Sequence, residues 1–167
     1  MSPEERSLIL ALVKVPGGPE PLAGDEFLRQ FCASDGLALG LDLLRDAIDH
    51  HDPVDVALAM VVCYTFGFSD DHLEVLITLA FADWHQSHED VASALGDLGS
   101  PSATAALFHL ADWVPSYLEF DDAQALAVKA IWGLGSIRSD DAHHALESLT
   151  QSKSKIVAEN ALAQLQG

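Results

Sequence analysis

The residues able to bind a metal, move a proton or attack a substrate are eight histidines, two cysteines and 26 carboxylates, and their spacing decides which chemistry is open to them. The tightest group is His85, His88 and Glu89. Two histidines at i and i+3 share a ligand when both ride on one helix, but this pair straddles an expected helix start, and no HExxH or Cys-His spacing accompanies it. His50-His51 and His143-His144 are adjacent pairs, whose side chains diverge on a helix. No metal site is expected. Cys32 and Cys63 sit in apolar helical contexts without a CxxC motif, and they read as buried, reduced thiols of a cytosolic protein. There is no Gly-rich phosphate loop, no G-x-S-x-G elbow and no mechanistic Ser/His spacing. The pairs Asp70-Asp71 and Asp140-Asp141 fall in first helical turns, where complementing the helix dipole accounts for them. The expectation is a protein that is not an enzyme and carries no cofactor.

Charge points instead to binding. Eight Lys and Arg against 26 Asp and Glu leave a net charge of -18, which repels nucleic acid and anionic lipid. The excess is concentrated: residues 46–128 hold 15 acids and no Lys or Arg. Solubility alone is one reading of that block, and a docking face for a cationic partner is the other. The N-terminus, MSPEERS, is acidic where a signal peptide would be basic. The apolar run at 8–13 is also too short for an h-region or a membrane span, so a cytoplasmic protein with no membrane partner is expected.

The elements that must position these groups are helices. Residues 91–110, VASALGDLGSPSATAALFHL, form one complete unit of apolar helix, Leu98-Gly99 stop, Ser100-Pro101 restart and second helix. Four helices are expected to begin at a serine followed by Asp or Pro, at Ser34, Ser69, Ser100 and Ser139. Positions +3, +7 and +10 from each hold Leu37, Leu41, Leu44; His72, Leu76, Leu79; Ala103, Leu107, Leu110; and Ala142, Leu146, Leu149. The partner helices align on their C-terminal ends at 59–67, 91–99, 127–135 and 158–166, with Val62, Ala94, Ala130 and Ala161 in one column and Cys63, Leu95, Ile131 and Leu162 in the next. Glycine ending three of these segments suits a left-handed C-cap. Ahead of the repeats, Ser2, Pro3 and Glu5 form a capping box for a helix over about 3–14. PGGPEP at 16–21 breaks that helix, and Asp25 is placed to cap the next. A unit cannot bury its own stripe, so an all-α stack is expected: one domain over 1–167, with 1–33 a degenerate N-terminal capping unit and 34–167 the repeats.

The LGxLG-like endings, the Ser/Pro starts and the Leu-xx-Leu helices resemble HEAT repeats of the short bacterial type also seen in phycobilin lyases. The resemblance covers residues 34–167 and is strongest over 91–149. The Asp-xx-Val-Arg motif that opens the second helix of that family is mostly missing, with only Val128-Lys129 in its place. The resemblance implies a right-handed α-solenoid of about five antiparallel helix pairs, used as a protein-binding scaffold.

In such a stack the links within units share one rim. Here they carry Asp49 and Asp52; Asp83 and Trp84; and Asp112, Trp113, Tyr117, Asp121 and Asp122. Acids beside large aromatics supply a field and anchors for a basic protein partner, and these nine are the candidate partner-binding residues. Alternatively, each Trp folds back over the helix ends and each Asp caps the next helix. The connection at 112–122 is the longest inside the repeats, and insertions in repeat proteins map to the binding face; its Tyr117 and Phe120 serve either an interface or the packing of the loop. Small acidic HEAT-like proteins resemble neutralisers of bacterial toxins, notably nucleases with cationic active surfaces. An immunity or antitoxin-like role is therefore the most concrete expectation. The alternative is a lyase or chaperone-like protein acting on a pigment-bearing or modified protein through Cys63. A third is a structural module in which Lys153 and Lys155 meet the acidic block of another copy.

Overall fold

The computed structural model describes residues 1–167 as ten α-helices and three 3-10 turns, with no strand. The all-α expectation holds. No helix is long and apolar enough to cross a membrane. The chain divides into two compact units, Met1–Val75 and Leu76–Gly167.

In the first unit, α1 (Pro3–Leu10) opens on the expected capping box: the Ser2 N–H donates to Glu5 Oε2 at 2.7 Å and the Glu5 N–H to Ser2 Oγ at 3.2 Å. The helix stops four residues short of Lys14, tapering through single-turn bonds from the Leu12 and Val13 N–H groups. Arg6, on this helix, reaches Asp52 at 2.7 Å and Asp55 at 2.8 Å, while the Met1 ammonium bonds Asp55 at 2.7 Å. Asp55 is buried, and these two cations are its charge partners there. The α2 helix (Gly24–Gln30) starts from Ala23 with no side-chain cap; Asp25 lies inside the first turn and pairs with Arg29 instead of capping. Phe27, fully buried, joins Phe31 and Phe66 with ring centroids 5.3 and 5.8 Å away. The α3 helix (Gly36–His50) packs on α4 (Pro53–Phe66). Asp35, not Ser34, caps α3, and the link to α4 is only His51, in the left-handed region at φ 51°, and the N-cap Asp52.

The boundary between the units falls within α5 (Leu73–Ala80). In the second unit α6 (His88–Leu98), α7 (Thr104–Asp112), α9 (Asp140–Leu149) and α10 (Lys155–Gln166) all pack on α8 (Ala125–Ser136). Serine starts differ in detail. Ser139 and Ser154 accept true capping bonds, whereas Ser69 and Ser100 precede 3-10 turns that lead into α5 and α7. The twelve-residue apolar stripe read from the serines is buried at every position except Leu37, His72 included. Val62, Ala94, Ala130 and Ala161 are each fully buried, as are Cys63, Leu95 and Ile131 in the next column, where Leu162 alone is exposed.

Glycine acts here in two ways. Gly99 caps α6 at φ 60° as expected, but Gly135 lies inside α8, where a Cβ would meet the flexible end of Gln164. Gly96 and Gly133 let α6 and α8 touch backbone to backbone: a Cβ on Gly96 would stand 2.8 Å from the Gly133 Cα. Ser136 Oγ donates across this crossing to the Gly96 carbonyl at 2.8 Å.

Gly96→Ala is therefore expected to lower stability by about 1–2 kcal/mol despite the helix preference of Ala, because overpacking against backbone has no rotamer escape. Gly135→Ala is expected to be neutral or stabilising, since the side-chain end it meets can move. Urea unfolding of the two variants beside the wild type checks the contrast.

Candidate functional site

The candidate site residues fall in both units. Asp49, in the last turn of α3, is exposed. Asp52 is the N-cap of α4, and its carboxyl is held below the ordinary range by the N–H of Asp55 and the guanidinium of Arg6. It is thus a paired structural acid and contributes little unpaired charge. The other seven belong to the second unit. Asp83, Asp112 and Asp122 are exposed, while Trp84, Trp113, Tyr117 and Asp121 are half-buried.

Trp84, Trp113 and Tyr117 converge on two histidines that are themselves out of solvent. His85 is stacked on His88, with ring centroids 4.1 Å apart and planes 16° from parallel. Each imidazole uses both of its nitrogens. His85 Nε2 donates to the Leu79 carbonyl at 2.9 Å and its Nδ1 accepts from the Ser87 N–H at 3.0 Å. His88 Nε2 donates to the Ala82 carbonyl at 2.7 Å, and Tyr117 donates its hydroxyl to His88 Nδ1 at 2.9 Å. This pattern fixes the neutral Nε2-protonated tautomer in both rings and leaves no lone pair for a metal. Burial pushes the His88 pKa down to about 4, and burial lowers His85 and His109 as well.

Around this pair the rings of Phe81, His109, Trp113, His88, His85 and Trp84 form a continuous run, with successive centroids 4.7, 5.2, 5.0, 4.1 and 5.3 Å apart. Trp113 lies flat on His109 and edge-on to His88. Hence Trp84, Trp113 and Tyr117 pin the connections to the helices before they offer anything to another molecule.

What the connection between α7 and α8 does present is different. After Trp113 comes the 3-10 turn Ser116–Leu118, then Phe120, 92% exposed, with Val114 also exposed. Asp121 accepts from the Ala123 and Ala125 N–H groups at 3.0 and 2.7 Å. Gln124, left-handed at φ 50°, accepts from Ser154 Oγ at 2.7 Å. The loop is thus tied down at Trp113, Tyr117, Asp121 and Gln124, with Phe120 held outward between Glu119 and Asp121. The connection also lines a cleft of about 180 Å³, in which Asp112, Trp113, Val114, Leu118 and Glu119 meet Leu126 of α8 and Val157 of α10. Sequence reasoning passed over Trp132, exposed on α8, where a shallow groove runs between α6 and α8 over the Gly96-Gly133 crossing. A tryptophan outside the repeating apolar columns was the signal.

The two thiols also part company. Cys63 is buried as expected, and burial raises its pKa to about 12. Cys32 is exposed, at φ 58° just past α2, because the chain turns there into the left-handed region. Compared with known proteins, the chain matches no family model, no curated protein and no solved structure.

Two measurements check this geometry. Between pH 7.5 and 5.5 the unfolded chain protonates His88 while the folded protein does not, so stability is full above pH 6.5 and is lost on acidification. The loss is roughly 1 kcal/mol by pH 5.5 from His88 alone. His88→Gln is expected to be less stable at neutral pH and to show a flatter profile; an unchanged slope would mean His88 titrates normally. A short iodoacetamide pulse on native protein is expected to label Cys32 and spare Cys63, with both labelled in denaturant.

Proposed function

We propose that the protein is a HEAT-like helix-repeat module, a right-handed solenoid of helix pairs, that binds a basic partner protein through its acidic surface. The support for the repeat reading is the recurrence of one buried stripe and one buried small-residue column at matched positions. In the second unit it is also the packing of both α6 and α10 on α8. The observation that carries the binding reading is charge placement: of the 15 acids in 46–128, eleven are exposed, and no Lys or Arg lies among them in sequence. Such a block steers cationic surfaces toward it and disfavours polyanions.

The most concrete form of this role is the neutralisation of a basic toxin, such as a nuclease, by occluding its cationic substrate cleft. The lyase-like alternative drew on Cys63 as nucleophile, and a thiol held near a pKa of 12 is not a thiolate at neutral pH.

Affinity capture from native lysate, with elution by a salt gradient, tests the reading. Basic proteins are expected to be retained at about 50 mM salt and released by about 500 mM, as screening shortens the reach of the field. Retention of only neutral or acidic proteins, unaffected by salt, would count against it.

A further inference from the structure

We propose that the 113–124 connection is the contact point, with Phe120 entering an apolar recess of the partner and an arginine of the partner entering the cleft beside it. This rests on the docking reading above and says where on the chain the docking occurs. Three observations point to the same place.

The first is the phenylalanine. A benzyl group 92% exposed on a loop gains nothing for the fold. The loop is not loose enough to hide it, being fixed by the Tyr117-His88 bond, the Asp121 bonds to Ala123 and Ala125, and the Ser154-Gln124 bond. An anchor already held in its bound position loses little conformational freedom on docking.

The second is charge. Asp112, at the end of α7, and Glu119 and Asp122, on either side of Phe120 in sequence, are exposed. The ion pairs of this unit, Lys129-Glu89, His143-Glu147 and Lys155-Glu159, all lie on other elements and neutralise none of the three. An apolar tip on an acidic connection whose exposed carboxylates have no ion pair is complementary to an apolar recess rimmed by cations. It would be repelled by an acidic copy of itself or by nucleic acid.

The third is the cleft. At about 180 Å³ it is smaller than the roughly 300–1,000 Å³ of small-molecule sites, and it has room for one long side chain. Its lining includes the aromatic Trp113 and the acids Asp112 and Glu119. A planar guanidinium stacks on the first and bonds the second, which an ammonium does less well.

The test is an NMR titration of the full chain with two peptides of equal charge, one of arginine alone and one in which arginine alternates with leucine. Saturable shifts are expected to be largest over 112–124 and at the Trp113 indole N–H. The mixed peptide is expected to bind at least about fivefold tighter. Phe120→Ser, at a position that the core does not touch, is expected to erase that preference. Asp112→Asn with Glu119→Gln is expected to weaken both peptides, beyond the effect of Asp140→Asn with Asp141→Asn. Saturable binding centred elsewhere, for example over 42–55 or 70–74, would overturn this inference and leave acidic docking standing. A Phe120→Ser protein that keeps the full preference for the mixed peptide would overturn this inference alone, whereas shifts that never saturate and scatter over all carboxylates would overturn both.

Discussion

The presented surface of the second unit depends on one buried imidazole. His88 sits between the Ala82 carbonyl and the Tyr117 hydroxyl, flat against His85 and edge-on to Trp113. An unpaired polar group in that position would cost a few kcal/mol, and the same low dielectric that sets this cost strengthens each bond that is made. The imidazole therefore locks to the protein body a loop 29 residues away in sequence. It also explains why two tryptophans in a repeated Ala-Asp-Trp context half-bury themselves: the rings of His85, His88 and His109 offer faces and edges for them.

That lock divides the work within the loop. Trp113 and Tyr117 hold it, Asp121 organises its exit into α8, and Phe120 is left exposed to solvent. Residue types that look alike in a sequence, aromatic and acidic, are thus split between scaffold and surface by which of them finds an internal partner. The same sorting occurs in the first unit, where Asp52 caps a helix and meets Arg6 while Asp49, in the last turn of α3, stays in solvent.

The helices rest on a different constraint, close approach. At Gly96 and Gly133, where neither residue carries a Cβ, α6 and α8 come into backbone contact. This fixes α6 and α8 against each other, and with them the His88 that begins α6 and the loop that leads into α8.

Local chemistry was open to reading in the chain itself. The Ser2 capping box and the stripe spaced from the serines depend on neighbours within a few residues, the column of Val62, Ala94, Ala130 and Ala161 on a spacing repeated along the chain, and each is found in the structure. The acidic block, too, is a property of composition. Other outcomes turned on partners distant in sequence. Cys32 is exposed and Cys63 buried though both sit in apolar contexts, and Gly135 accommodates Gln164 instead of capping. Above all, whether Tyr117 or Phe120 faces solvent depends on a hydrogen bond to His88. Periodicity and charge are carried by the order of residues along the chain; which face of a loop is left over is settled only when its polar and aromatic groups compete for partners that folding brings near.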